Sequence, residues 1–283
     1  ERLARFSLAL APIYGGLTLV LSLGLIVAGE RPYVAVIHAM STLSTSGITP
    51  LSGFYNAGSG FAGEVMVLAF MIFAISRLTF SRGLRGEDRG RLWDDAEIRM
   101  AAGLVGAVTA FLFIRHFVGA LEGSSTTGLP SAMRALWGAL FTVTSFLTTT
   151  GFESAEWLDA TDWSGLGTPG LILVGLSLIG GGIATTAGGV KLLRVFALLK
   201  HGQRELERLV HPSSLAGGGR EARQIRRQGA YIAWIFFMLF TLSVVGIMVA
   251  LALTGVQFET AMVLSVSALS TTGPLAAVAG EDP

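Results

Sequence analysis

A seven-residue stretch ending in glycine occurs three times in this chain: Ser41 to Gly47 (STLSTSG), Ser145 to Gly151 (SFLTTTG) and Ser267 to Gly273 (SALSTTG). Counted back from each glycine, every copy has Thr at the second place, Leu at the fourth, Ser at the sixth and Ala at the twelfth (Ala35, Ala139, Ala261). Each copy follows a short apolar segment and sits between longer ones. The repeating unit therefore reads as long helix, short helix, polar Ser/Thr-Gly loop, long helix. Unpaired backbone groups facing lipid are costly, so irregular backbone at membrane depth survives only where it lines a water-filled path.

The membrane setting follows from composition: 52% of residues are hydrophobic and only 14% charged, with several apolar runs near the bilayer-spanning length of about 20 residues. This predicts an all-α multi-pass membrane protein. Of the 20 Lys and Arg, five fall between Arg82 and Arg99 and nine between Lys191 and Arg227; the positive-inside rule makes both stretches cytoplasmic. Glu153, Glu156, Asp159 and Asp162, just after the second loop, are then external, and the three loops open outward. The absence of cysteine excludes a disulfide framework and a thiolate metal site. The opening Glu-Arg-Leu-Ala-Arg has no signal-peptide form and reads as the interior of a longer protein.

Taken in order, Phe6 to Ala28 predicts a first span closed outside by Gly29 and Glu30. Pro32 suits the first turn of a second helix, and the segment to Leu43 is too short to cross. It reads as a re-entrant pore helix whose dipole turns its partly negative end toward the loop, where a cation is favoured. A Gly-rich link, Gly53 to Gly60, leads to a return span, Phe61 to Phe80. The second unit crosses outward from Ile98 to Gly119, passes a polar link (Glu122 to Gly128), and starts its short helix at Pro130 and Ser131. The run Gly170 to Leu199 is long enough to span, but five glycines fall between Gly180 and Gly189. Each costs about 1 kcal/mol relative to Ala in a helix, so a break is expected there. A broken helix below a pore loop is a natural gate. The third unit crosses from Gln228 to Leu253 and carries a last short helix from Gln257 to Leu269, with no returning helix before Pro283. The predicted organisation is a pore unit at 1–80, a cytoplasmic loop at 81–97, a pore unit with a broken second helix at 98–199, a cytoplasmic connection at 200–227 and a partial pore unit at 228–283.

An alkali cation entering a narrow pore must exchange its water shell for protein oxygens, which backbone carbonyls and Ser/Thr hydroxyls supply without net charge. Glycine lets the backbone reach left-handed conformations that turn successive carbonyls inward. One loop cannot surround an ion; several around an axis can. Coupled solute symport also uses broken helices, but no substrate-binding or proton-relay group stands out at mid-membrane. An intramembrane enzyme needs clustered acid/base or metal-binding groups, and His38, His116, His201 and His211 are scattered. His38 and His116 read as packed or interfacial, Glu64 and Glu259 as lying near the outer mouth, and Lys191 and Arg194 as snorkelling to the inner headgroups. Nothing points to nucleic acid.

The three S-x-L-[ST]-T-[ST]-G loops, with GGGIATTAGGVKLLR (Gly180 to Arg194) and RELERLVHP (Arg204 to Pro212), resemble the Trk/Ktr/HKT superfamily of potassium transporters. That resemblance implies four helix-pore loop-helix repeats around a pseudo-fourfold pore, of which this chain matches repeats two, three and the front of four. It implies filter residues at Ser44, Thr45, Ser46, Gly47, Thr148, Thr149, Thr150, Gly151, Ser270, Thr271, Thr272 and Gly273, with potassium as the transported ion. It implies a gate at Gly180, Gly181, Gly182, Thr185, Thr186, Gly188 and Gly189. Further implications are a bacterial inner-membrane location in contact with lipid, a homodimer, and a cytoplasmic nucleotide-binding regulatory ring that could dock on Lys191 to Arg227. The chain departs from the pattern in having neither the first repeat nor the fourth repeat's second helix, which leaves potassium, sodium or mixed transport open. A fourth such loop is expected upstream.

Overall fold

A computed structural model describes residues 2–51, 53–54, 56–75, 95–120, 129–164, 170–183, 185–210 and 227–279, and among them all regular structure is helical. Among the described residues three helices are long and apolar enough to cross a membrane: α1 (Arg2–Val27), α4 (Ala96–Ala120) and α9 (Arg227–Leu253). Each is followed by a helix that ends in one copy of the repeated motif: α2 (Pro32–Ser44), α5 (Leu129–Leu147) and α10 (Phe258–Ser270). Pro32 occupies the first turn of α2, and Pro130 lies next to the start of α5, where a missing N–H costs nothing.

Within each unit the long helix packs on the short one: α1 on α2, α4 on α5, α9 on α10. The repeated alanine suits such close packing. Ala35, Ala139 and Ala261 are all buried, and a small side chain lets two helices approach closely where lipid supplies no hydrophobic drive for association. α3 (Gly60–Met71) returns from the first unit and tightens into a 3-10 turn at Ile72–Ala74. The rest of the expected return span lies outside the described residues, as do the links 121–128 and 211–226 and most of the basic loop 81–97.

The second unit continues into α6 (Trp157–Ser164), which the sequence reading did not foresee, then into α7 (Gly170–Ile179) and α8 (Leu192–Val210). α6 was readable from Asp159 in its first turn and from Trp157 and Ala160, buried at helical spacing. The expected break is real: the apolar run from Gly170 is interrupted from Gly180 to Lys191. Contacts between units run from α3 to α5, from α7 to α10 and from α8 to α9, while α8 packs on α4 within the second unit. After the third loop a five-residue helix, α11 (Leu275–Ala279), packs back on α7.

Candidate functional site

All three motifs close their helices with one local geometry. The shared threonine, Thr45, Thr149 or Thr271, is left-handed, with φ of 51°, 57° and 59°. Its amide donates to the carbonyl three residues back, at 3.2, 3.1 and 3.3 Å, and the next amide donates to the motif serine's carbonyl at 3.0, 2.9 and 3.0 Å. This is a Schellman cap, in which glycine is the usual left-handed residue. A side chain in that region costs about 1–2 kcal/mol, and the β-branch makes threonine an outlier there. Such strain at three equivalent places points to a functional demand.

The hydroxyls show what threonine adds. Thr45 and Thr271 donate to the carbonyls of Ser44 and Ser270 at 2.7 and 2.6 Å. Flanking hydroxyls bond across each turn: Ser44 to Ser46 at 3.1 Å, Thr148 to Thr150 at 3.0 Å, and Ser270 to Thr272 at 3.0 Å. The motif serine ties the loop's far side: Ser41 Oγ lies 3.2 Å from Ser46 Oγ, Ser145 Oγ accepts from the Phe152 amide at 2.7 Å, and Ser267 Oγ donates to the Thr272 carbonyl at 2.8 Å. These serines stand outside the expected filter residues, although their repetition at one place in each motif is the signal for them.

The loops meet at their glycines. A Cβ on Gly47 would lie 2.2 Å from the Thr150 carbonyl oxygen and 2.6 Å from the Pro274 ring. One on Gly151 would lie 3.0 Å from a Thr272 methyl and 3.1 Å from Pro274. Both glycines are left-handed, at φ of 66° and 81°. Gly273 departs from the expectation: its φ is not positive and no atom of the described residues would lie within 4 Å of a Cβ. The cause was in the sequence, since the following Pro274 disfavours all but extended backbone at residue 273.

Beneath the loops, residues 180–189 leave the helix axis and return to it. The amides of Val190 and Lys191 donate to the carbonyls of Leu178 and Ile179 at 2.9 and 2.8 Å, so the returning chain satisfies the orphan carbonyls at the end of α7. Glycine is required at the crossing: a Cβ on Gly180 (φ 73°) would meet the Gly188 carbonyl oxygen at 2.1 Å, and one on Gly189 (φ 76°) the Ser177 carbonyl oxygen at 2.7 Å. The excursion touches all three units. Gly182 donates its amide to the Ala74 carbonyl at 3.0 Å, and Ile183 its amide to Glu97 Oε1 at 2.8 Å. Thr185 closes the turn onto the Gly182 carbonyl at 2.7 Å, and Thr186 donates to the Leu43 carbonyl at 3.0 Å. Gly188 donates to Thr149 Oγ1 at 2.7 Å, and Gly181 and Gly188 press on Ala74 and on the Ser270 carbonyl so closely that a Cβ would collide. Thr149 thus bonds the excursion where its counterparts bond their own loops.

Other expectations change. Lys191 does not extend to the headgroups: its Nζ donates back to the Ala187 carbonyl. Arg194 donates to the Val190 carbonyl at 3.2 Å and lies 4.1 Å over the Phe236 ring. His38 is packed, as expected, with Nε2 2.8 Å from Thr49 Oγ1 and its ring against Phe54 and Phe152. Glu259 is exposed in the first turn of α10. Glu64 is buried and held by three donors. Glu30, which closes α1, accepts from the Ser59 hydroxyl at 2.9 Å and from the amides of Gly58, Ser59 and Arg31. Burial pushes its carboxyl pKa up, but the Ser59 hydroxyl and these amides outweigh it and hold the value below the usual range. The side chains of His116 and Asp162 lie outside the described residues.

The family model for TrkH, described as a cation transport protein, matches residues 98–276. The chain belongs to the TrkH family. The family is one of transporters, not enzymes, and this member is a multi-pass membrane protein. Its curated relatives include the Trk system potassium uptake proteins TrkH of Vibrio parahaemolyticus, 29% identical over 96% of this chain and 54% of the relative, and of Halomonas elongata, 30% identical over the same shares. The crystal structure of the potassium transporter TrkH from Vibrio parahaemolyticus superposes with a TM-score of 0.74 at 26% identity, covering 96% of this chain and 56% of that one. This TrkH-family chain spans about half the length of the curated relatives it matches.

Proposed function

We propose that this chain forms part of a potassium uptake pathway, with the three Ser/Thr-Gly loops as walls of a selectivity filter and residues 180–189 as its gate. The observation that carries the reading is the convergence of Gly47, Gly151, Pro274 and the Thr150 carbonyl at one point, with the excursion bonded to the undersides of the loops. Strained, hydroxyl-braced turns hold backbone oxygens at fixed positions, as replacement of a hydration shell requires. The filter residues are Ser44 to Gly47, Thr148 to Gly151 and Ser270 to Gly273. The gate residues are Gly180 to Gly182, Thr185, Thr186, Gly188 and Gly189.

In this reading, 1–80, 98–199 and 228–283 correspond to the second, third and fourth repeats of a pseudo-fourfold pore, with the remaining wall supplied by the rest of the full-length protein. Potassium is the cargo, favoured over sodium because the relatives carry out potassium uptake. The protein resides in the bacterial inner membrane, works as a homodimer, and is controlled by a cytoplasmic nucleotide-binding subunit docked near Lys191 to Arg227. Gly151→Val in the full-length protein tests the filter. A β-branched side chain cannot hold φ of 81° without strain, so potassium uptake or its selectivity over sodium should fall in uptake-deficient cells. Unchanged flux and selectivity would overturn the reading.

A further inference from the structure

We propose that Glu64 is a positioning residue for the second loop, acting as an acceptor post that sets the chain just beyond the filter against its own pore helix; the inference rests on the filter reading. Glu64 lies on α3, in the first unit, and is 1% exposed. Its carboxylate takes the indole N–H of Trp137, on α5, at 2.6 Å and the Ala155 amide at 2.6 Å. The Ser154 hydroxyl lies 3.0 and 2.8 Å from its two oxygens. Trp137 belongs to the second pore helix, and Ser154 and Ala155 follow its filter glycine by three and four places. One side chain from a neighbouring unit therefore joins the two arms of the hairpin that carries Thr148 to Gly151.

The chemistry requires a carboxylate. An indole N–H and a backbone N–H can only donate, and they approach different oxygens, Oε2 and Oε1. A carboxamide of equal size must turn its NH2 toward one of them, leaving two donors face to face in a buried place. A shift of the outgoing strand follows. Ser154 also donates its amide to Thr142 Oγ1 at 3.3 Å, and Glu153 accepts from the Phe54 amide at 3.2 Å, so displacement there reaches the filter through Phe152, whose amide is bonded to Ser145. Glu64 bonds no described filter residue, and both its oxygens are taken by protein donors, so it serves as a post and not as an attractor for cations at the outer mouth.

The test uses the full-length transporter in potassium-uptake-deficient cells, reading the half-saturating potassium concentration, the maximal rate and the amount of protein in the membrane. Glu64→Gln should raise the half-saturating concentration about tenfold with the protein still present. Adding Trp137→Phe should return it to within about twofold of wild type, because the carboxamide oxygen can then serve Ala155 while its NH2 faces a ring. Phe at 137 keeps the contact that Trp137 makes with Phe61, at 4.6 Å between centroids. An electrostatic attractor would stay lost in the equally neutral double variant, so equal impairment of both variants overturns the proposal. Wild-type affinity in Glu64→Gln also overturns it. Should Glu64→Gln fail to reach the membrane, the double variant decides: near-normal affinity supports the proposal, and absence or weak affinity overturns it. Gly151→Val run beside them separates the two readings, since unaltered flux and selectivity there sink the filter itself, whereas altered flux or selectivity with silent Glu64 variants sinks only the post.

Discussion

The second and third loops share a motif and a cap, yet they sit in opposite surroundings. Thr148, Thr149 and Thr150 are completely buried, whereas Thr271 and Gly273 are exposed and Gly273 has open space where a Cβ would go. Nine places before its glycine the second pore helix has Thr142, whose hydroxyl accepts from the outgoing Ser154; the first has His38, hydrogen bonded to the outgoing Thr49; the third has Leu264, which can do neither. Local sequence writes the turn three times, but the tie from each pore helix to its outgoing strand, together with the loops packed around it, decides how firmly each copy is held. Tolerance to substitution should therefore differ sharply among residues that look equivalent in the repeat.

The largest effect is expected at Gly47. Gly47→Ala places a methyl 2.2 Å from the Thr150 carbonyl oxygen, at φ of 66°. A carbonyl cannot yield as a flexible side chain can, so two loops must separate. Potassium uptake by the full-length protein should fall at least about tenfold, as expected for misplacement of a positioned site. Near-normal uptake would mean that the first and second loops do not meet in the working protein.

A smaller effect, of opposite sign, is expected at Thr149. Thr149→Val keeps the β-branch but removes the acceptor for the Gly188 amide. Leaving that amide unpaired costs about 1–3 kcal/mol, which loosens residues 180–189 from the second loop. Resting potassium leak should rise several-fold in Thr149→Val and stay normal in Thr149→Ser. Thr271→Val should leave gating unchanged, because among the described residues the Thr271 hydroxyl bonds its neighbour's carbonyl and not the excursion. Equal leak in both valine variants would erase the distinction between the loops.

The contrast between copies also shows what could be read beforehand. The spans, the three short helices and the break after Ile179 were legible because periodicity, glycine density and charge are local signals. The repeated Ala and Ser were legible as well, although only the packing shows why each is there. Left-handed Thr45, Thr149 and Thr271 run against intrinsic preference, so no propensity argument could have found them. Glu64 and Glu30 were beyond reach for another reason: the partners of Glu64, and all of those of Glu30 but the adjacent Arg31 amide, lie 73 to 91 and 28 to 29 residues away, and nothing in a neighbourhood of either residue announces them. Lys191 was misjudged because its left-handed backbone, at φ of 86°, redirects a side chain that would otherwise run toward the membrane surface.

The first unit offers a stability handle on the same theme. Hydrogen bonds from the Ser59 hydroxyl and nearby amides lower the Glu30 pKa, so the carboxylate's contribution is complete above the unfolded value of about 4.3 and fades as pH falls through the folded value beneath it. Glu30→Gln should lose about 1–2 kcal/mol at neutral pH. Thermal unfolding of detergent-solubilised protein should show the gap from wild type narrowing only below about pH 4. A gap that closes already between pH 7 and 5 would mean that Glu30 is not held as an anion.

The smallest effect is expected at Gly273, and that makes it the sharpest test of the comparison. Pro274 disfavours any but extended backbone at residue 273, a conformation open to any residue. No described atom stands where an added methyl would go. Gly273→Ala removes freedom from the unfolded chain without straining the folded one, which stabilises by about 0.4–1 kcal/mol. Uptake should stay within about twofold of wild type, since the turn itself is set by Thr271 and Ser267. If Gly273→Ala instead abolishes uptake as Gly47→Ala does, then the third loop is as tightly surrounded in the full-length protein as the second, and its openness here belongs to this half of the pathway alone.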